Sequence, residues 1–233
     1  MNELSVSVII PAYNGELYIC EAIESALRQT IKPLEILVVD NGSSDRTESF
    51  VSKFHGVRYI RTETANVGAA RQLGVNQSLG NFVAFLDQDD VWLAHKTEMQ
   101  LDYLNKNPDK GAVIGLQSIF LEPGVDKPHW LKESFIRRAL PGYLPSALMV
   151  RRDMFNASGG FDTNFLMASD VDWFFNAHQN GVSVGMVDCV VVEKRIHGHN
   201  DSYNVSKSQN EILRVIKRSL ILRREKNEQF SKN

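Results

Sequence analysis

The sequence predicts an α/β fold: a mostly parallel sheet flanked by helices, in one domain that ends in a helical tail. Three observations carry that expectation. The first part of the chain contains short, almost continuously apolar runs, as expected of strands covered on both faces. Segments with helical spacing of apolar residues alternate with them. Polar and acidic residues gather directly after each run, where an open parallel sheet places its ligand cleft. At 233 residues the chain suits one sizeable domain rather than two.

Taken in order, the expected strands are "VSVII" (6–10), "LEILVV" (34–39), "VRYIR" (57–61) and "FVAFL" (82–86). Between the first two, "ELYICEAIESALRQT" (16–30) puts Leu17, Ala22, Ile23, Ala26 and Leu27 on one face of a crossover helix. A second crossover helix, "AARQLGVNQSLG" (69–80), ends on a glycine stop. The strand ends then read "PAYN", "DNGSSD", "TETANVG" and "DQDD". From about residue 112 the pattern loosens into Pro- and Gly-containing segments, followed by a helix over 170–180 and a strand-like stretch over 182–196. This second half is expected to shape the pocket for a second substrate. The tail places Ile212, Leu213, Val215, Ile216, Leu220 and Leu222 among Arg214, Lys217, Arg218, Arg223 and Arg224. Such a basic amphipathic helix either docks on the domain or meets an anionic membrane surface or partner.

Composition narrows the function. Apolar residues make up 43% of the chain and the formal net charge is −2, which argues against disorder and against a field that grips nucleic acid. The N-terminal apolar run before Pro11 is far shorter than a signal or spanning segment, so a cytoplasmic location is the expectation. Cys20 and Cys189 lack any CxxC spacing and read as buried free thiols. Neither a GxGxxG after the first strand nor a GxxxxGK[ST] occurs, which removes support from dinucleotide dehydrogenases and P-loop enzymes.

The stretch "FVAFLDQDDVW" (82–92) delivers Asp87, Asp89 and Asp90 to the end of an apolar strand. Adjacent carboxylates there repel one another and need a compensating cation. Mg²⁺ or Mn²⁺ fits, because a hard divalent ion commonly bridges carboxylates to substrate phosphates. Capping of a following helix would use one or two of the three. Asp40, at the end of the second strand, stands where nucleotide folds use an acid to read the nucleoside, and Asp45 reads as a helix cap.

Six segments, "SVIIPAYN" (7–14), "EILVVDNGSSD" (35–45), "GNFVAFLDQDD" (80–90), "GGFD" (159–162), "SDVDWFF" (169–175) and "RIHGHNDS" (195–202), come in the order seen in family 2 glycosyltransferases of the GT-A (Rossmann-like) fold, which the chain resembles. The resemblance covers nearly the whole chain. It implies a nucleotide half over 1–110, an acceptor-side half over 111–205 and a separate tail over 206–233. Pro11, Ala12 and Tyr13 resemble the segment against the base, Asp40 the acid that reads base or ribose, and Arg71 an arginine near the nucleotide. "DQDD" resembles the family's DxD, with Asp87 and Gln88 on the donor side and Asp89 and Asp90 toward the metal. His197 resembles the histidine that completes the metal or diphosphate site, and His199 is a weaker candidate.

By the same resemblance Asp170 is the expected catalytic base. Chemically, a base must take the acceptor's proton while the metal stabilises the departing diphosphate, and one displacement inverts the anomeric centre. Asp172, Trp173 and Trp130 are candidate acceptor contacts; structure is the other reading for Asp172, and core packing for Trp173. Ser169 stands where the family usually has Glu, and "NVGAARQLGV" (66–75) is shorter than the common pattern around Arg71. The implied function is inverting transfer from a nucleotide sugar, most simply a UDP-sugar, to a carbohydrate, lipid-linked or protein acceptor. The implied setting is polysaccharide, glycolipid or glycoprotein biosynthesis, cytoplasmic or peripheral at the membrane. A non-catalytic nucleotide-sugar-binding subunit and a sugar nucleotidyltransferase are the alternatives.

Overall fold

In the computed structural model, which describes residues 4–64, 66–198, 200 and 205–230, the chain begins β1 (Val6–Ala12), α1 (Ile19–Leu27), β2 (Glu35–Asp40), α2 (Thr47–Val51), β3 (Val57–Arg61), α3 (Val67–Asn76), β4 (Phe82–Phe85). It continues β5 (Val91–Trp92), α4 (Lys96–Lys106), β6 (Ala112–Leu121), β7 (Leu140–Pro141), β8 (Leu148–Arg151), α5 (Arg152–Ala157), α6 (Ser169–Gln179), β9 (Val184–Ile196) and α7 (Val205–Phe230). The sheet order is β3-β2-β1-β4-β8-β6-β9-β5, with β7 on β6. The first four strands are parallel, as continuous apolar runs require when helices cover both faces. β8 runs against both β4 and β6, whereas β6 and β9 are parallel. Only β5, β7 and β8 therefore oppose the common strand direction.

One face of the sheet buries Val8, Ile10, Ala22, Ile23, Leu101 and Met149. The other buries Ile9, Val39, Phe85, Phe155, Phe161 and Trp173. Helix α3 lies so close to β1 that a Cβ at Gly74 would sit 2.5 Å from Ile9 Cγ2. Gly74→Ala gains about 1 kcal/mol of helix propensity but overpacks this contact, which costs about 1–3 kcal/mol. A lower urea midpoint is expected for the variant; an unchanged or raised midpoint would show that the helix shifts freely.

Several local expectations are corrected. Leu17 is 72% exposed and precedes α1, because the Tyr18 and Ile19 N–H groups bond back to the Gly15 carbonyl in a turn; the buried face is Ile19, Ala22, Ile23 and Ala26. Helix α3 stops at Asn76, before Gly80, whose missing side chain lets the chain approach Ser7 N. The stretch after residue 112 is not loose: β6 is a ten-residue strand. Its register against β9 shifts between Ile114 and Leu116 and again before Gln117, which breaks the alternation that sequence reading depends on. Cys20 and Cys189 are free and partly rather than fully buried.

Helix α7 docks. Val215 is buried with Phe165 and Ala168, Arg218 pairs with Asp162 at 2.5 Å and approaches Asp172 at 3.6 Å, and Gln179 donates to Ser219 at 2.8 Å. Among the described residues no helix is long and apolar enough to cross a membrane.

Candidate active site

The loops after β1 and β4 are joined by one side chain. Tyr13 N donates to Gln88 Oε1 at 2.9 Å, and Gln88 Nε2 donates to Tyr13 O at 3.0 Å. Gly15 lies against the same side chain with no room for a Cβ. Pro11 and Ala12 are buried in β1, while the Tyr13 ring is 53% exposed above the cleft. Asn14, at φ 46°, donates its N–H to Ser43 Oγ at 2.8 Å and accepts from Ser44 N at 2.9 Å, which ties the first strand end to the second.

Asp40 is wholly buried at that second strand end. Its Oδ1 accepts from Gly42 N (3.0 Å) and Ser43 N (2.7 Å), and its Oδ2 from the Tyr59 hydroxyl (2.6 Å). It thus braces the "NGSS" turn, where Gly42 has φ 97°. Asp45 accepts from Thr47 N at 2.9 Å and from Glu16 N at 3.0 Å, so it is structural, but as a tie between loops: the N-cap residue of α2 is Arg46.

"DQDD" closes a turn through Asp90 N to Asp87 O at 3.1 Å and leads into β5, so it caps no helix. Its carboxylates then part company. Asp87 Oδ1 accepts from Arg71 Nη2 at 2.5 Å. Asp89 Oδ2 meets His197 Nε2 at 3.0 Å and accepts from Asn200 Nδ2 at 2.9 Å. Asp90, buried, accepts at Oδ1 from the Arg195 N–H at 3.1 Å, and its Oδ2 has no hydrogen-bond partner among the described residues. Burial pushes the Asp90 carboxyl up to about 7, against the pull of Lys194 and with added repulsion from Asp89 and Asp87. For Asp89 burial works the same way, but the His197 bond and the Lys194 charge hold its carboxyl below the usual range.

Lys194 is the residue that sequence reading missed. Its ammonium is stabilised first by Asp90 and, against burial, by Asp89, Asp87 and Asp170, so one cation answers the carboxylates of the β4–β5 turn and of α6. The signal was present as the lysine that follows the apolar run "CVVV" and Glu193, directly before the "RIHGHN" motif. Arg195 donates to Asp89 O at 3.0 Å and pairs with Glu21. His197 is buried with its ring 4.6 Å from that of Tyr18. His199 lies outside the described residues.

Asp170 occupies the first turn of α6, partly buried, with Oδ1 accepting from Val171 N at 2.8 Å. Burial raises its pKa; the Arg71 charge lowers it and Asp87 raises it again. Arg71 is itself buried, its Nε without a hydrogen bond among the described residues and its guanidinium 5.9 Å from the Phe161 ring. It pairs with Asp87, and its charge acts on Asp170. Ser169 is packed against Gly68, where an added Cβ would lie 2.9 Å from the serine Cβ. The contact explains why position 68 is a glycine.

Two acceptor candidates are corrected. Trp173 is fully buried, donates Nε1–H to Ser158 Oγ at 3.0 Å and stacks on Phe155, so it belongs to the core. Asp172 is buried and accepts from Asn176 at 2.7 Å beside Arg218, which makes it a tie between helices. Trp130 is 40% exposed and stays available to a ligand. Among the described residues no three His, Cys, Asp or Glu side chains converge as a metal cage.

Comparison with known proteins places this geometry. An uncharacterized glycosyltransferase of Rickettsia conorii is 30% identical over 220 residues, covering 88% of this chain and 36% of that protein. The Escherichia coli UDP-Glc:alpha-D-GlcNAc-diphosphoundecaprenol beta-1,3-glucosyltransferase WfgD is 41% identical over 110 residues, 46% of this chain and 44% of its own length. Escherichia coli chondroitin synthase is 27% identical over 207 residues, 84% of this chain and 30% of its own. The chain therefore spans less than half the length of each of these relatives. The crystal structure of S. aureus TarS 1-349 in complex with UDP shares the GT-A fold, with a TM-score of 0.70 at 19% identity over 93% of this chain and 65% of that one. The sequence profile of Glycosyl transferase family 2 matches residues 7–173, and the chain belongs to that family.

Proposed function

We propose that the chain is the donor-binding and catalytic unit of an inverting glycosyltransferase that moves a sugar from a UDP-sugar to a hydroxyl of a carbohydrate, glycolipid or glycoprotein acceptor. The observation that carries this reading is a charge cluster: Arg71 pairs with Asp87 at 2.5 Å, and the charges of both, with Lys194, act on Asp170 in the first turn of α6. The acceptor oxygen bonds to the anomeric carbon, the bond from that carbon to the diphosphate breaks, and Asp170 receives the acceptor's proton. Burial beside a carboxylate gives Asp170 the raised basicity the step needs. The relative whose name specifies UDP-Glc and a diphosphoundecaprenol-linked sugar supports a UDP donor and a lipid-linked acceptor.

Mn²⁺ or Mg²⁺ belongs to this proposal. Such ions are held by one or two protein ligands together with substrate phosphates, so Asp89 and His197, already in contact, form a donor pair that fits. Asp90, turned toward β9 with one oxygen unsatisfied among the described residues, is the further candidate. When bound, the ion would neutralise charge on the departing diphosphate. The Lys194 charge favours these carboxylates, while the Arg195 N–H donates to Asp90 Oδ1 and its Nε–H to the Asp89 carbonyl. Residues 1–110 serve the nucleotide and 111–205 the acceptor in this reading. The outward Leu213, Leu220 and Ile221 of α7 support a peripheral contact with a membrane surface on the cytoplasmic side.

A thermal-shift series with UDP-glucose, UDP-N-acetylglucosamine, a GDP-sugar and a dTDP-sugar, each with and without Mn²⁺, tests the donor assignment. A matched donor at 100 times its Kd stabilises the native state by about 2.7 kcal/mol. A shift with UDP-sugars that grows with Mn²⁺ is expected, and no shift with any nucleotide sugar would sink the reading.

A further inference from the structure

The start of α6 is organised from outside its own segment. Its N-cap residue, Ala168, has no side chain that can accept from the first turn. The acceptor comes instead from α7: Glu211 Oε1 accepts from Leu166 N at 3.1 Å, and Oε2 from Met167 N at 2.7 Å and Ala168 N at 3.0 Å. One carboxylate thus satisfies three consecutive N–H groups, ending two residues before Asp170. On the other side, Asn66, which also caps α3, donates to Thr163 O at 2.7 Å and Phe165 O at 3.3 Å. Phe165 and Ala168 are buried against Val215. The segment 163–168 is therefore held between the first turn of α3, which carries Gly68 against Ser169, and the C-terminal helix.

We propose that Glu211 is a positioning residue for the transfer reaction: by fixing the backbone of residues 166–168 it sets where α6 begins and so where the Asp170 carboxylate points. The inference rests on the reading of Asp170 as the base. It makes α7 part of the catalytic apparatus instead of an appendage. A carboxylate at the amino end of a helix also suits the dipole there. The three N–H bonds outweigh burial and keep the Glu211 carboxyl below its ordinary range, consistent with a charged acceptor. Displacement of a catalytic group by about 1 Å costs on the order of 100-fold in rate, so a modest loosening is measurable.

The test uses the full chain with Mn²⁺ and three variants, Glu211→Ala, Glu211→Gln and Asp170→Asn. Amide hydrogen exchange reports residues 166–168, and UDP release from UDP-glucose and UDP-N-acetylglucosamine, with water as acceptor, reports turnover. In Glu211→Ala, exchange at these amides should rise and kcat should fall by about tenfold or more while KM for the donor stays within about twofold. Glu211→Gln, which keeps the acceptor oxygen without the charge, should recover part of both. Unchanged protection or unchanged kcat in Glu211→Ala would overturn the positioning role, as would a parallel loss of donor affinity. Loss of turnover in Asp170→Asn with full turnover in Glu211→Ala overturns the positioning role alone. Full turnover in Asp170→Asn overturns the base assignment instead, and the positioning role with it.

Discussion

Asp170→Asn lowers the rate of sugar transfer by about 10²- to 10⁴-fold, the range that a positioned general base contributes, and leaves Mn²⁺-dependent UDP binding intact. Asparagine keeps the size of the side chain and can still accept from Val171 N, so the fold is retained while the proton acceptor is lost. The pH dependence follows from the sign of the shift. Burial raises the Asp170 pKa above its ordinary value, so the wild-type rate should decline as pH falls through that raised pKa, with the acidic limb above the usual aspartate range of about 3.9. Stability carries the opposite sign for this group. Between its unfolded and folded pKa the native state binds the extra proton, so ionisation at neutral pH works against folding, and Asp170→Asn should melt no lower than the wild type. A variant with near-normal transfer, measured at saturating donor, would end the assignment.

Asp89→Ala should remove the stimulation of UDP binding by Mn²⁺, a loss of about 100-fold or more, since even outer-shell partners of metal ligands are worth about 10- to 100-fold. Titration of UDP by calorimetry with and without the ion measures it. Because Asp89 also holds His197 and Asn200, the alanine variant leaves a buried imidazole without its carboxylate and should lose stability as well. Asp89→Asn separates the two effects: it can keep the hydrogen-bonded pair but not the charge, so it should fold normally and still fail to respond to Mn²⁺. Persistence of Mn²⁺-stimulated UDP binding in both variants would place the ion elsewhere.

Strands β1, β2 and β4 were legible because they are buried on both faces and therefore mostly apolar, a pattern that needs only local sequence. The helix bearing Asp170 was legible to within a residue at each end for a similar reason. Strand β6 was hidden by its bulged register, and β8 by having only four residues before α5 begins. Trp173 is core because four aromatic rings, from β4, α5, α6 and the loop between the two helices, close on one another, and neither spacing nor composition can tell such a cluster from a stacking platform. The glycine at 68 became intelligible only through Ser169, a residue on another helix.

By itself the sequence determined the α/β fold class, the strands that carry the cleft and the residue types gathered at their ends, because periodicity and the topology of parallel sheets act over short stretches of chain. Only the tertiary structure decided which carboxylate meets which partner: Asp87 with Arg71, Asp89 with His197, Asp90 with Arg195 and Lys194, and the α6 start with Glu211. The physical reason is separation. Asp89 and His197 are 108 residues apart, and Ala168 and Glu211 are 43 apart, so their contact depends on how whole elements pack rather than on any local pattern.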